Sequence, residues 1–337
     1  GERGDQVHLI QTKSMSKRYA PVITRNTGSK GPGRDKAPFP SIQIPKTGKN
    51  KEPFPEGIYI AVARPEDLFI VQSSRPQQVM LALTQKNARY LLDENKPPLP
   101  FRPSEIILTL DPWFPQEIAE YENGKMAEKI ELLIEMGYFK FMVNNPGHLS
   151  LFKGYDNVKL IAGPWLYTFN SWSLSFVSSL GVDAFVSPLE NNRQNLERTL
   201  GVDSRSTDSG AGKRTKKKTG NKLHSKYFIT VFSWTPLFNI KADLAKVINV
   251  KTFTDNMGEQ FSLVTSPEGS HVYPNKYFSI IDKIPFLNEA GFGRFIIDLS
   301  GTVLKKSEYR DLMRAVKENA PLPQSSRFNW KDGFYKS

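Results

Sequence analysis

Apolar residues along this chain come in short runs of three to six, each followed by a small or polar cluster, and longer amphipathic stretches lie between them. In the stretch 138–190, the runs Phe139–Val143, Val158–Ala162 and Ala184–Val186 end in Asn144-Asn145-Pro146, Asn170-Ser171 and Ser187-Pro188. Ser173–Leu180 between the last two reads as a helix closed by Gly181, since glycine commonly follows a helix end. Near-continuous apolar strands alternating with helices are the pattern of a parallel sheet buried on both faces. The same rhythm predicts strands at Ile58–Ala63, Gln78–Leu83, Glu105–Leu110, Tyr227–Phe232 and Arg294–Leu299. Helices are expected at Gln116–Met136, Asn192–Leu200, Ser279–Ala290 and Ser307–Glu318, with a short helix or turn at Pro65–Ser73. Gly258 sits inside Phe253–Val264 and suggests a hairpin, and Ser270–Tyr273 adds a strand. About eight strands in βα order with one antiparallel excursion at 252–275 predict an α/β fold. A TIM-like (β/α) barrel or partial barrel with a small appended β unit fits best, and a doubly wound open sheet is the alternative.

Charge alters the domain picture. The net charge is +12, yet residues 1–52 hold 11 Lys/Arg against 4 Asp/Glu, and residues 205–226 hold 8 against 1. The remainder is close to neutral. Residues 1–53 lack a sustained hydrophobic period and read as a disordered basic linker or tail, ahead of a barrel-type domain at 54–337. A mobile basic insert is expected at 203–226. Within it Lys213, Arg214, Lys216, Lys217 and Lys218 are candidate phosphate contacts, so RNA is the partner suggested by tail and loop. Solvation of unstructured sequence explains the same residues. No apolar run reaches the roughly 18–20 residues that span a bilayer. Without cysteine there is no disulfide, no thiolate ligand and no cysteine nucleophile, which suits a cytoplasmic location.

Strand ends carry the candidate chemistry, because α/β proteins place their sites at the carboxyl ends of strands. Glu190 and Asp298 form a candidate acid/base pair. His148, just past Asn144-Asn145, is the only histidine at a strand end and the third catalytic candidate. Asn145, Asn170, Ser171 and Ser187 are candidate ligand-binding residues. Asn170 and Ser171 are also natural helix caps. Helix N-termini at Ser171 and Asn191 would favour a carboxylate or phosphate group in the mouth, and Glu190 and Asp298 supply the opposite polarity, so a ligand carrying both an anion and hydroxyls is expected. Asp111 is a weaker acid candidate, and Trp165, Tyr167, Trp172 and Trp234 line a pocket or fill core. No GxSxG elbow and no His-Glu-x-x-His helix is present, so no metal and no cofactor is expected.

Several stretches taken in order resemble peptidase family U32, the collagenase-like peptidases. They are FMVNNPGHLSLF, Phe169-Asn170-Ser171, Leu180-Gly181-Val182, VSPLENNRQNL, FTDNMGEQFSLV, PNKYFSIIDKIPFLNEAGFGRFIIDLS and Trp330–Tyr335. The match runs from about Gly57 to the end and resembles the C-terminal half of the longer members. It implies a barrel with peptidase, RNA-modifying or cofactor-modifying activity at its mouth, and an N-terminal half or partner protein. Relatives acting on RNA bases or quinones carry four cysteines for an iron–sulfur cluster. Here Thr235 and the Ser270-His271 region stand where two would be expected. The family's Pro-Glu order is changed to Ser187-Pro188-Leu189-Glu190, and Ile296 replaces an arginine beside Asp298. The non-catalytic alternative is a scaffold or RNA-binding module derived from that fold.

Overall fold

A computed structural model describes residues 52–112, 126–191, 195, 226–240, 242–244, 247–256, 258–266, 269–323 and 325. Eight parallel strands close on themselves. They are β1 (Gly57–Val62), β2 (Gln78–Ala82), β3 (Ile106–Thr109), β4 (Lys140–Val143), β5 (Lys159–Ala162), β6 (Ala184–Val186), β7 (Tyr227–Ser233) and β13 (Arg294–Asp298). Each pairs with its neighbour in that order, β6 with β7, β7 with β13, and β13 back to β1. The fold is therefore a TIM-like barrel, and the open doubly wound alternative is excluded.

Connecting elements cover the outside. These include α1 (Leu68–Val71), α2 (Gln85–Leu92), α3 (Met126–Glu135), α4 (Ser171–Ser179), α5 (Ile284–Glu289) and α6 (Lys306–Glu318). A single 3-10 segment, Pro146–Phe152, replaces a full helix between β4 and β5. Local sequence accounts for these boundaries. Thr84 accepts a hydrogen bond from the Asn87 amide at the start of α2, and Gly181 takes a left-handed φ of 91° just past α4. In α6, Tyr309, Leu312 and Val316 lie on one face and are buried, the spacing that a 3.6-residue period requires. Of the predicted helix Gln116–Met136 only α3 is described, and of Asn192–Leu200 only Asn195.

A smaller antiparallel sheet consists of β8 (Phe238–Ile240), β9 (Thr252–Thr254), β10 (Gln260–Ser266) and β11 (Gly269–Pro274), in the order β8-β11-β10-β9. Gly258 stands in the β9–β10 turn at φ 82°. From β11 the chain returns to the barrel as β12 (Phe278–Ser279), antiparallel to the end of β7. β7 thus meets β6 through Tyr227 and Phe228, and β12 through Phe232 and Ser233, along one edge.

Alternation along the strands sends every second residue into the barrel, and the register stacks these in layers from alternate strands. Tyr59, Ile107, Ile161 and Phe228 form one central layer, and Met80, Met142, Val186 and Ile296 the next; all belong to one buried cluster. One further step toward the carboxyl ends places Ala61, Thr109, Gly163 and Thr230, and beyond them Ala82, Asn144 and Asp298. Toward the amino ends the same count gives Gln78, Lys140 and Arg294, then Lys159 and Lys226.

The chain entering the barrel closes that amino end. Phe54 is 3% exposed, lies in the interior cluster, and meets Phe228 edge-on at 6.0 Å. Arg294, 1% exposed, donates from Nε to the Phe54 carbonyl (2.6 Å) and from Nη2 to Glu52 (2.5 Å). Gln78 donates to the Pro53 carbonyl at 3.1 Å, and Tyr59 to that of Pro55. Glu52 and Pro53, grouped with the tail on sequence grounds, are thus bonded to the barrel, and Lys226, grouped with the insert, is half-buried beside β7.

Candidate functional site at the carboxyl mouth

Small residues open the carboxyl end of the barrel and polar ones line it. Gly163 is required by its neighbour: a Cβ there would lie 1.8 Å from Asn144 Oδ1. Asn144 is buried, and its Nδ2 donates to the Leu110 carbonyl at 2.9 Å, tying β4 to β3. Its Oδ1 is buried without a hydrogen-bond partner, as is Thr109 Oγ1 one layer below. Buried acceptors without partners are uncommon, and each costs about 1–3 kcal/mol. From the first turn of α2, Asn87 Nδ2 donates to both Ala63 and Ala82 carbonyls at 2.7 Å, fixing the rim between β1 and β2.

Asp298 ends β13 inside this mouth. Its Oδ2 accepts from Ser233 Oγ (3.1 Å), and its Oδ1 from the Ser300 amide (3.0 Å) and hydroxyl (2.5 Å). Ser233 in turn hydrogen-bonds Thr235. Facing Asp298 is Tyr273, delivered by β11 of the small sheet. Burial raises its phenol pKa, and the negative charges of Asp298 and Asp111 add to the rise. Trp234 packs against Tyr273 (4.8 Å) and Tyr277 (5.8 Å) and donates Nε1 to the Pro274 carbonyl at 2.6 Å. Gly301 makes this approach feasible: a Cβ there would lie 2.3 Å from the Trp234 carbonyl oxygen and 3.1 Å from the Tyr273 ring. Among the described residues Arg64 is the one cation within two positions of a barrel strand's carboxyl end. Asp67 holds its guanidinium at 2.7 and 3.0 Å.

The predicted site residues separate into two groups. Ser187 and Asp298 stand at strand ends. Ser187 is buried, its hydroxyl 3.3 Å from the Pro188 carbonyl while it accepts from Asn191 at 3.3 Å. Asn145 instead starts the 3-10 segment, accepting from the Gly147 amide and donating to the Pro112 carbonyl. Asn170 caps α4 through the Ser173 amide at 2.9 Å, and Ser171 is its first residue. Glu190 is exposed, near enough to Tyr167 to add to the rise that burial gives its phenol. His148 is buried, and desolvation lowers its pKa to about 4, so it is neutral at pH 7. Lys213, Arg214, Lys216, Lys217 and Lys218 lie outside the described residues. Among the described residues no group of three or more His, Asp or Glu is placed to hold a metal ion, and no helix is long and apolar enough to cross a membrane.

Sequence reasoning missed Asn144, Thr109, Ser233 and Tyr273. For the first two a signal existed in the strand alternation: Asn144 shares parity with Met142, Thr109 with Ile107. Tyr273 comes from another sheet, and no local pattern marks it. The positions where the resemblance would put cluster ligands serve other ends. Thr235 bonds Ser233, Ser270 Oγ donates to the Ala242 carbonyl and accepts from the Leu244 amide, and His271 Nδ1 lies 2.7 Å from Asn239 Oδ1. They do not fit an iron–sulfur cluster, which needs thiolates. No protein-family model matches the chain, and neither does any curated protein sequence. The resemblance to peptidase family U32 gains no support from either comparison.

Proposed function

We propose that the carboxyl mouth binds a small ligand rich in hydrogen-bond donors, an amine or a polyhydroxylated molecule, and that Asp298 acts there as proton acceptor. The observation that carries this is the grouping of Asp298, Asp111 and Tyr273 over the unpartnered acceptors of Asn144 and Thr109. Acceptors and carboxylates favour donors and positive charge. At the Ser171 terminus the anionic part of the expected ligand is disfavoured, since the Asn170 side chain already takes an amide of its own helix. Tyr273, with its pKa raised, stays a neutral phenol near neutral pH and can donate to a ligand oxygen. On this reading the chain is a U32-like enzyme module, a divergent hydrolase or an RNA- or cofactor-modifying unit. The resemblance and the barrel-mouth position of Asp298 support it, and the lack of cysteine suits a cytoplasmic setting.

One observation favours the non-catalytic alternative, a scaffold or RNA-binding barrel. Trp234, Tyr273 and Tyr277 pack on one another beside the mouth, as structural aromatics do. Thermal-shift titration of the full chain with amines and polyols separates the two. Stabilisation that disappears in Asp298→Asn is the expected result. Equal shifts in wild type and Asp298→Asn, or none with any compound, would overturn the ligand reading in favour of the scaffold.

A further inference from the structure

The opposite end of the barrel carries a second concentration of charge, unrelated to the mouth. Lys159, Lys226 and Arg294 all point inward by strand parity at the amino end, within electrostatic reach of one another. Lys140, in the same layer as Arg294, makes a fourth cation, and among the described residues three carboxylates answer the four, Glu105 acting on Lys140. Asp183 sits 3.8 Å from Lys159 and also accepts the Leu160 amide. Glu52 meets Arg294 at 2.5 Å, yet its own side chain is 55% exposed. Among the described residues Lys226 has no ion-pair partner, and burial lowers its pKa. Arg294 is 1% exposed, and its Nη1 has no hydrogen-bond partner. A buried guanidinium normally uses all its donors, because an unspent charged donor is costly away from water.

We propose that this end of the barrel binds a single phosphate-type oxyanion, through the spare Nη1 of Arg294 and through Lys226, with Glu52 as the competing carboxylate. A planar guanidinium with one edge free is suited to an oxyanion, and a neighbouring lysine supplies point charge. The excess of cations over carboxylates gives such a group one uncompensated charge to neutralise. Glu52 lies on the strap that closes the barrel, so occupancy and strap position are linked: the anion loosens the grip on Glu52 while the Phe54 carbonyl stays bound to Nε.

Inorganic phosphate is the probe, titrated against the full chain at constant ionic strength with chloride as the balancing anion. Wild type should gain thermal stability with phosphate. Glu52→Gln should bind it about tenfold more tightly, since a competing charge is gone (about 1.4 kcal/mol per tenfold). Lys226→Met, at a half-buried position that tolerates an apolar stem, should lose most of the effect. Neutralising Lys213–Lys218 should leave it unchanged. The proposal is overturned if phosphate has no effect on wild type and Glu52→Gln. It is equally overturned if the effect survives Lys226→Met but vanishes with the Lys213–Lys218 run.

Discussion

The two ends of the barrel are built on the same strands, four layers apart, and are chemically opposed. Three strands carry the contrast in their inward positions: Lys140-Met142-Asn144, Lys159-Ile161-Gly163 and Arg294-Ile296-Asp298. Each runs from a cation through an aliphatic filling to a small or acceptor group. At the amino end Arg294 is covered by the chain's own Glu52–Pro55, which also supplies Phe54 to the core. At the carboxyl end the lining is acidic and uncharged polar, and its aromatic wall comes from a separate sheet. The division between a closed, stabilising end and an open, polar end is the general rule of this architecture. Here it teaches that charge polarity can be read from alternate residues of single strands.

The largest test of that comparison falls on the closed end. Phe54→Ala removes a fully buried ring from the interior and should cost about 3–5 kcal/mol, read as a lower denaturant midpoint. A loss under about 1 kcal/mol, ordinary for an exposed position, would show that the strap is not part of the core.

At the open end, Gly163→Ala forces a methyl into Asn144 and should destabilise by about 1–3 kcal/mol. Adding Asn144→Ala should recover most of this, because the clash partner is gone; additive losses would mean the two residues do not share the space.

Strand β4 links the two ends through pH. Lys140 has its pKa lowered to about 8 by burial, and His148, just past the other end, to about 4. In both the folded pKa lies below the ordinary value, so the unfolded chain binds more protons in between and stability rises with pH. The windows are about 4 to 6.5 for His148 and about 8 to 10.5 for Lys140. His148→Leu should flatten the acidic rise, which is at most about 1.4 kcal/mol per pH unit. Lys140→Met should flatten only the alkaline one. Exchange of these two effects would break the assignment.

The smallest expected effect is spectroscopic. Asp298→Asn should lower the pKa of Tyr273, followed by phenolate absorbance, with little change in stability. An unmoved titration would separate Tyr273 from Asp298 and weaken the mouth as a site.

Much of the barrel was legible because its strands are short apolar runs whose ends are marked by Asn-Asn-Pro, Ser-Pro or Asp. The hairpin was legible in Gly258. At the site, legibility stopped at single-residue resolution. Asn144 and Asn145 look alike in sequence, yet parity sends the first inward and leaves the second to begin a 3-10 turn. Asp298 was found because it ends a strand, whereas Tyr273 reaches the mouth only through the pairing of β11 with β10 and β8. The strap was missed for the converse reason: Glu52-Pro53-Phe54-Pro55 follows low-complexity sequence and has no period of its own. Its docking depends on Arg294, some 240 positions away in the chain.

The pairing of Ser233 with Phe278 means that the excursion between them leaves and rejoins the barrel at adjacent backbone positions. Adjacent antiparallel partners lie about 4.5–5.5 Å apart, a gap that a two-residue turn spans. The small sheet is therefore a cassette: it can be excised and replaced by a tight hairpin link while the wall of the barrel stays whole. Such a deletion would remove Trp234, Tyr273 and Tyr277 together and leave Asp298, Asn144 and Thr109 in place. Evolution, or an engineer, can thus exchange what stands over the mouth without rebuilding the vessel beneath it.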